Sequence, residues 1–386
     1  MGYRHIFLAP PARRAKVRVK RFDECFMKRL AADAPSKQGQ SREERRDAGR
    51  ARYPSSSSEL RLQETFDAVS KAMAELPASD NAEGAVEKML RANAILRQLP
   101  WPSPFDETTH RIRCGDARDL SWLPQDSVHL VVTSPPYWTL KDYEPHHAQL
   151  GAIADYEVFL SELDRVWAEC VRVLAPGGRI CCVVGDVCVP RKRGGRHYIL
   201  PLHADIQTRC RRLGLDCLTP ILWQKIANGV TEVEGHGAGF YGKPYQPGAI
   251  IKNDVEHILF LRKGGEYRSP SVIQRVLSML NKEEMQKWLR SCWVDVKGES
   301  TRKGHPAPFP IPLAERLIRL FSFVGDTVLD PFAGTGTTAL AAMACGRNSV
   351  NVDIEPKYVA MAQQRLREAA FLPIPVGAVR TKLQFN

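Results

Sequence analysis

The chain has 386 residues, of which 44% are hydrophobic and 25% are charged, and its formal net charge is +12. These values are typical of a globular protein and exclude collagen-like, coiled-coil and globally disordered classes. No run of 18 or more apolar residues occurs, and the first residues lack the apolar core of a signal peptide, so we expect an intracellular, cytoplasmic protein without a membrane span.

The first predicted element is a basic arm over residues 1–58. Residues 1–60 contain 15 Lys plus Arg and 7 Asp plus Glu, which gives +8 of the total charge of +12. The arm is rich in Arg, Ala, Pro and Ser and is predicted to be partly disordered. Such a segment indicates a polyanionic partner, most often nucleic acid, although a solvated tail has the same composition.

A helical hairpin is predicted over residues 59–100. Apolar residues recur there at spacings of three and four, and a break at residues 77–81 separates two amphipathic helices. Their apolar faces need a partner, which is either the rest of the chain or a second copy in a homodimer. Pro100, Pro102 and Pro104 then mark the end of the hairpin.

Beyond residue 100 the sequence alternates between strand and helix patterns. Strands are predicted at residues 111–114, 128–132, 179–184, 217–223, 254–261, 327–329 and 348–352, and helices at residues 154–174, 202–213, 314–323, 338–345 and 357–370. This alternation predicts an α/β fold, with a doubly wound, mainly parallel sheet covered by helices on both faces. We divide this part into residues 101–263, residues 264–304 with a predicted helix at 272–290, and residues 305–386.

A rigid cluster of hydrogen-bond acceptors follows the predicted strand at 128–132. Ser134 contributes a hydroxyl, and Pro135 and Pro136 lack N–H groups, so their carbonyls remain free acceptors whose direction the fixed φ angle holds. Tyr137 adds an aromatic ring. Acceptors beside a ring suit a planar base with an exocyclic amine, since the amine donates while the base stacks. The alternative is a proline-rich loop with core aromatics.

Two basic clusters are candidate contacts for the phosphates of a nucleic acid. They comprise Arg191, Lys192, Arg193 and Arg196 in one loop, and the adjacent pair Arg262 and Lys263. The loop follows a predicted sheet strand on the side where substrates are expected. Either cluster is also compatible with solvated surface charge.

Neither a disulfide framework nor a metal site is predicted. The ten cysteines are scattered without a CxxC pair, and the adjacent Cys181 and Cys182 lie in a strand predicted to be buried. His146 and His147 are adjacent rather than at ligand spacing, which favours a surface loop.

A tight glycine turn follows the predicted strand at 327–329. Gly334 and Gly336 allow the backbone to approach a ligand closely, and the N–H groups of the following helix favour an anionic group. Asp353 ends the next strand, where such folds place an acid that binds ribose hydroxyls. The turn lacks a Walker lysine and a third glycine, so it indicates a mononucleoside site. The alternative is that the glycines only allow strand and helix to pack.

These motifs resemble those of the DNA amino-methyltransferases that use S-adenosylmethionine. The resemblance rests on the tetrad Ser-Pro-Pro-Tyr at 134–137 and on Asp-Pro-Phe-Ala-Gly-Thr-Gly-Thr-Thr at 330–338, and it extends over most of residues 111–368. The tetrad precedes the cofactor turn, as in the circularly permuted β class. A serine in the tetrad is similar to the cytosine-N4 branch, whereas adenine-N6 enzymes usually carry Asp or Asn there.

The resemblance implies a role for each motif. Ser134, Pro135, Pro136 and Tyr137 would form the catalytic site. The cofactor would be bound by Asp116, His305, Pro306, Asp330, Phe332, Ala333, Gly334, Thr335, Gly336, Thr337, Thr338 and Asp353. Asp116 would lie near the adenine, Asp353 at the ribose and the turn near the methionine part. In the permuted sheet, the strand that bears Asp353 is expected beside the strand that ends near Asp116. Residues 264–304 are expected to read the DNA sequence.

The implied reaction is direct methyl transfer to N4 of a cytosine flipped out of duplex DNA, with S-adenosylhomocysteine as the leaving product. No metal ion is needed. Methylation at C5 would require a cysteine nucleophile, usually after a proline, and none of the ten cysteines follows one. Adenine-N6 methylation, an RNA substrate and a catalytically silent DNA-binding regulator remain as alternatives.

Overall fold

The computed structural model describes residues 84–96, 101, 103–140, 149–225, 254–298, 309–371 and 379–385, without the side chains of residues 140, 192, 193 and 371. The predicted arm over residues 1–58, the first helix of the predicted hairpin, and His305 with Pro306 lie outside the described residues.

The described residues form a series of helices and strands that follows the predicted alternation. The helices are α1 (Ala85–Leu96), α2 (Tyr156–Val173), α3 (Arg191–Gly194), α4 (Leu202–Arg212), α5 (Val272–Leu277), α6 (Lys282–Trp288), α7 (Ile311–Phe321), α8 (Thr337–Ala344) and α9 (Pro356–Phe371). The strands are β1 (Glu107–Cys114), β2 (Val128–Thr133), β3 (Leu174–Val184), β4 (Val187–Val189), β5 (Tyr198–Leu200), β6 (Leu215–Cys217), β7 (Ile221–Gln224), β8 (Val255–Lys263), β9 (Cys292–Trp293), β10 (Thr327–Asp330), β11 (Asn348–Asp353) and β12 (Arg380–Phe385). None of the described helices has the length and apolar character needed to cross a membrane.

One large sheet runs through this part of the chain in the order β12-β1-β11-β10-β2-β3-β8-β7-β9, and β6 also pairs with β8. The strands from β12 to β3 are parallel to their neighbours, whereas β8 is antiparallel to β3 and to β7. The predicted α/β fold with a mainly parallel sheet is therefore confirmed. The strands β9 and β12 and the small β4–β5 pair were not predicted, and the single strand predicted at residues 217–223 is divided into β6 and β7.

Parallel pairing brings distant parts of the sequence to one edge of the sheet. β1 pairs with β11 so that Cys114 lies opposite Asp353, and the N–H of Gly115 donates to the carbonyl oxygen of Asp353 at 2.9 Å. This neighbourhood was expected from the permuted order of the motifs. Because β1, β11, β10 and β2 all end at this edge, the segments that follow them meet there.

Helices cover both faces of the sheet because apolar side chains alternate along its strands. In β2, Val131 packs in a cluster with α2 and α4, while Leu130 and Val132 pack on the other face with α7 and α8. Asp155 is the N-cap of α2, and its side chain accepts a hydrogen bond from the N–H of Val158 at 2.9 Å. The motif-bearing strand β2 is thus held between two helical layers.

The helical stretch predicted at residues 272–290 is interrupted. The chain forms α5 and α6 instead, with residues 278–281 between them. Asn281 and Glu284 make a reciprocal capping box, in which each side chain bonds to the other residue's backbone N–H, and this starts a new helix.

α1 and α5 pack together at the edge of the sheet opposite to the ends of β1, β2, β10 and β11. Met89 and Leu96 contact α5, and the amide of Asn93 donates to the carbonyl oxygen of Val276 at 2.7 Å. The same cluster includes Val324, which precedes β10. For the described helix of the predicted hairpin, the partner is therefore the rest of the chain.

Candidate active site

The carboxyl ends of four parallel strands surround a pocket. Its lining follows β1, β2, β10 and β11 and includes the predicted site residues Asp116, Ser134, Pro135, Pro136, Phe332 and Asp353. The pocket comprises about 650 Å³ of space, part of which is open to solvent. The fold therefore brings part of the predicted base-binding and cofactor-binding groups to one cavity, which Tyr137 does not line.

The remaining described residues of the predicted cofactor turn are buried and do not line this pocket. They are Asp330, Ala333, Gly334, Thr335, Gly336, Thr337 and Thr338. The turn is anchored to α9, because the guanidinium of Arg365 donates to the carbonyl oxygen and the hydroxyl of Thr335 at 2.6 and 2.8 Å. These residues shape the wall behind the pocket.

Gly336 is required by packing as well as by backbone conformation. Its φ angle is 79°, in the left-handed region, and a Cβ atom there would lie 2.9 Å from the Cβ of Ala362 on α9. Gly336 therefore allows the turn to pack closely on α9, which agrees with the alternative that a turn glycine serves packing. The N–H of Gly334 instead donates to Oδ2 of Asp353 at 2.7 Å.

Asp330 connects the cofactor turn to the strand that carries the tetrad. Its carboxylate is 1% exposed and accepts hydrogen bonds from the hydroxyls of Thr133 and Thr338, each at 2.7 Å. The N–H of Phe332 donates to the same group at 3.1 Å. The hydrogen bonds of its carboxylate are thus internal to the fold, and the role of Asp330 in cofactor binding stays a prediction. Burial raises the pKa of Asp330 to about 6 in spite of these hydrogen bonds.

We expect Asp330→Ala to lower the free energy of unfolding by about 2 to 4 kcal/mol at pH 7, because the buried hydroxyl of Thr133 loses its acceptor and a small cavity forms. Asp330→Asn should destabilise less, since the amide oxygen can still accept and the Thr338 hydroxyl can donate to the carbonyl oxygen of Val132, 3.3 Å away. Urea unfolding of both variants measures this. If the wild type and the Ala variant had the same free energy of unfolding, Asp330 would not stabilise the contact between the cofactor turn and β2.

The raised pKa of Asp330 also predicts a pH effect. Between pH 4 and 6 the folded chain keeps a proton on Asp330 that the unfolded chain has released, so ionisation in this window opposes folding. The stability of the wild type relative to Asp330→Asn is therefore expected to fall as the pH rises from about 4 to about 6, and then to level off. Urea midpoints at several pH values test this, and a difference that stays constant with pH would contradict it.

Two carboxylates face the pocket. Both oxygens of Asp353 accept backbone hydrogen bonds, from Gly334 at 2.7 Å and from Glu355 at 2.9 Å, yet a carboxylate retains further lone pairs for a ligand. Burial raises the pKa of Asp353. Asp116 is partly buried, but its pKa is lowered because the guanidinium of Arg118 donates to it at 2.5 to 2.9 Å. Both groups can accept hydrogen bonds from a nucleoside.

The Ser-Pro-Pro-Tyr turn is held by its own aromatic residues. The hydroxyl of Ser134 donates to the hydroxyl oxygen of Tyr137 at 3.3 Å. The Tyr137 ring is 8% exposed and lies so close to Gly185 that a Cβ atom there would be 3.3 Å from its Cε2 atom. Trp138 has a φ angle of 50°, unusual for a bulky residue, and its indole N–H donates to the carbonyl oxygen of Ile153 at 2.8 Å. The turn therefore presents Ser134 and the two prolines to the pocket in a defined conformation.

The two predicted basic clusters lie at opposite edges of the sheet. Arg191 and Arg196 are exposed in the segment 187–200, which comprises β4, α3 and β5 and which we call the basic hairpin. It follows the carboxyl end of β3, on the pocket side, and β4 contacts the 3-10 helix Trp138–Leu140. Neither arginine makes an ion pair with a described residue.

The prediction for Arg262 and Lys263 is corrected by the structure. β8 is antiparallel to β3, so that Arg262 pairs with Arg179, the first residue of β3 that pairs with β8, on the side away from the pocket. Both cations are also already paired, Arg262 with Asp216 at 2.6 Å and Lys263 with Asp126 at 2.7 Å. They are therefore not placed to contact DNA that enters the pocket.

The sequence analysis missed a cluster beside the basic hairpin. Asp186 follows β3, His203 lies in the first turn of α4 and His257 lies on β8. Nδ1 of His203 lies 2.6 Å from Oδ1 of Asp186, and the two imidazole rings stack with centroids 3.8 Å apart. Burial, together with the nearby His203, lowers the pKa of His257. No short spacing joins these residues, so the sequence carries no signal of the cluster.

Comparison with known proteins places residues 128–364 in the N6_N4_Mtase family model, described as DNA methylase. The type II methyltransferase M.MjaI of Methanocaldococcus jannaschii is 34% identical over 288 residues, which cover 67% of this chain and 91% of that protein. A structure from Thermus thermophilus, assigned as a DNA modification methylase and solved in complex with S-adenosyl-L-methionine, is 49% identical with a TM-score of 0.58. The alignment covers 72% of this chain and 98% of that one.

A more distant structure shares the fold. The PvuII DNA methyltransferase, which is cytosine-N4-specific, has a TM-score of 0.51 at 18% identity, and the alignment covers 74% of this chain and 98% of that chain. At this identity the likeness concerns the fold alone.

Proposed function

The chain belongs to the N6_N4_Mtase family of DNA methylases and uses S-adenosylmethionine as its methyl donor, and we propose that it methylates the exocyclic N4 of a cytosine flipped out of duplex DNA. The single observation that carries this proposal is the shared pocket. Ser134 and the two prolines line it together with Asp353 and Phe332, so a base and a cofactor can meet there. The serine at the first position of the tetrad favours cytosine-N4 over adenine-N6.

The pocket residues fit the cofactor. Asp353 offers free carboxylate lone pairs to ribose hydroxyls, Asp116 lines the same pocket just after the neighbouring strand β1, and Phe332 supplies apolar surface. When bound, S-adenosylmethionine supplies an electrophilic methyl group on its sulfonium. We assign the ribose to Asp353, the adenine end to Asp116 and the methionine end to the part of the turn that reaches the pocket, at Pro331 and Phe332.

The chain's own groups orient the amine that receives the methyl group. We propose that the Ser134 hydroxyl and the Pro135 carbonyl accept the two N4 hydrogens, which directs the nitrogen lone pair toward the methyl carbon. Methyl transfer would form the N4–methyl bond as the carbon–sulfur bond breaks, with the electron pair of that bond left on sulfur, and N4 would then release one proton to water in the open part of the pocket. Tyr137 fixes the Ser134 hydroxyl through their 3.3 Å hydrogen bond and is the candidate ring for stacking on the base.

The second candidate is adenine-N6 methylation, because the family includes both chemistries. Methylation-aware sequencing of DNA from cells that express the chain reports the base, the atom and the sequence motif together. The proposal predicts N4-methylcytosine in a fixed motif, which is absent from cells that express Ser134→Ala. Modified adenine as the sole product would contradict it.

We infer that the basic hairpin contacts the DNA backbone beside the pocket. Arg191 and Arg196 are exposed on the pocket side, without ion pairs to described residues. Flipping a base costs a few kcal/mol, which phosphate contacts can offset.

We also propose that residues 264–304 read the DNA sequence. α5 lies at the opposite edge, whereas the N–H of Gly298 donates to the carbonyl oxygen of Lys225, which follows β7 on the pocket side, at 3.4 Å.

The double variant Arg191→Ala with Arg196→Ala is expected to weaken DNA binding and to flatten its salt dependence, with the slope of log K against log salt less negative by about 2. Binding titrations at several salt concentrations measure this. Arg211→Ala with Arg212→Ala is the matched control, since it removes the same charge from the exposed end of α4, which leads to the opposite edge. Equal slopes for the two double variants would contradict the proposed contact.

A further inference from the structure

Three potential metal ligands from three different elements converge beside the active-site pocket. Asp186, His203 and His257 each offer one ligand atom, and these atoms lie within 4.8 Å of one another. In the part of the chain that the structure describes, no other group of three His, Cys, Asp or Glu side chains has its ligand atoms this close together. From this convergence we propose that the three residues form a binding site for a divalent transition-metal ion such as Zn²⁺.

The types of ligand determine which ion fits. Two imidazoles and one carboxylate suit Zn²⁺, Co²⁺ or Ni²⁺ rather than Mg²⁺ or Ca²⁺, which prefer oxygen ligands. Ligand atoms about 2.1 Å from an ion are about 3 Å from one another. The three ligand atoms lie within 4.8 Å of one another and the two imidazole rings are stacked, so movements of about 2 Å with rotation of one ring would bring the three atoms onto one ion and leave further positions for water.

The hydrogen bonds of the cluster leave one buried atom unused. Nδ1 of His257 is buried and makes no hydrogen bond with a described residue. Buried polar atoms normally have a partner, and coordination of an ion would provide one. Oδ1 of Asp186 accepts from the backbone N–H of His203 at 3.3 Å, which already holds the carboxylate in place beside the rings.

The site would join the basic hairpin to the sheet. Asp186 directly precedes the hairpin and His203 comes shortly after it, while His257 lies on β8, which pairs with β3. An ion bound to all three would hold both ends of the hairpin against β8. The ion would thus order the segment that carries Arg191 and Arg196, without taking part in methyl transfer.

Metal uptake by the untagged full-length protein tests this proposal without DNA or S-adenosylmethionine, so its outcome is independent of the proposed methylation. After treatment with EDTA and dialysis, titration with Co²⁺ should give visible absorption bands that saturate at one ion per chain and are displaced by Zn²⁺. His257→Gln and Asp186→Asn should each weaken binding by about 10-fold or more, and His203→Gln likewise. Each variant is shown to be folded by two controls. It should bind S-adenosylmethionine, and its metal-free form should unfold at the same temperature as the metal-free wild type.

His197→Gln is the matched control, because His197 lies in the hairpin but outside the cluster, 3.7 Å from the sulfur of Cys188. It should retain metal binding. Trypsin provides a second measurement, since Zn²⁺ should slow cleavage at Arg191 and Arg196 in the wild type but not in His257→Gln. No saturable uptake, or uptake that His257→Gln leaves unchanged, would overturn the proposal.

Discussion

Replacement of Ser134 by Ala is expected to lower the rate of methyl transfer by about 100-fold or more, while the Kd for S-adenosylmethionine changes by less than about twofold. The Ser134 hydroxyl lines the pocket and is held by Tyr137, but it contributes no hydrogen bond to the cofactor turn. Its loss therefore removes an acceptor for the amine and leaves the cofactor groups in place. Single-turnover transfer from labelled S-adenosylmethionine and calorimetric cofactor binding measure the two quantities.

The control for this variant is Ser161→Ala, because Ser161 is an exposed serine on α2 whose hydroxyl donates to the carbonyl oxygen of Glu157 at 2.8 Å. Its rate and affinity should match those of the wild type. If Ser134→Ala lost cofactor binding in proportion to its rate while remaining folded, Ser134 would belong to the cofactor site, and the assignment to the base would be wrong.

Asp353→Ala is expected to raise the Kd for S-adenosylmethionine about 100-fold. The carboxylate accepts the N–H groups of Gly334 and Glu355 and faces the pocket, so its removal frees two backbone donors and deletes the proposed ribose contact. The loss of two hydrogen bonds to ribose hydroxyls, each worth about 1 to 2 kcal/mol, corresponds to this change in affinity. Asp353→Asn keeps one acceptor oxygen and should give an intermediate Kd.

Isothermal titration of the cofactor measures this effect, and thermal unfolding verifies the fold. Asp216→Asn is the control, because Asp216 pairs with Arg262 at the edge opposite to the pocket. An Asp353→Ala protein that binds the cofactor as tightly as the wild type would show that the ribose is held elsewhere.

The parts of the site that were predicted from the sequence lie in contiguous motifs. The Ser-Pro-Pro-Tyr turn and the glycine turn each follow a buried strand, and a parallel sheet places such turns at the same edge. The contact of β1 with β11 followed from the permuted order of these motifs. Local pattern and known topology were therefore sufficient to place Ser134 and Asp353 around one pocket.

The errors come from features that depend on direction and on long-range contacts. Arg262 and Lys263 were predicted in the correct strand, but the sequence did not show that β8 is antiparallel, which turns its end to the opposite edge. The inward direction of the Asp330 carboxylate could not be predicted either, because it depends on Thr133, almost 200 residues earlier in the chain.

Other features were present in the sequence but were not recognised, or left no trace there. The break between α5 and α6 is marked by the capping box of Asn281 and Glu284, which sequence inspection can find. The cluster of Asp186, His203 and His257 has no characteristic spacing, since its members meet only when β3, α4 and β8 are assembled.

The most direct test of the central claim follows the methyl group itself. The purified chain is incubated with duplex DNA and S-adenosylmethionine that carries a labelled methyl group, and the DNA is then digested to nucleosides and separated by mass. We predict label in N4-methyldeoxycytidine, with none from the Ser134→Ala protein. Label in N6-methyldeoxyadenosine alone, or no transfer by a folded protein that binds the cofactor, would contradict the proposed function.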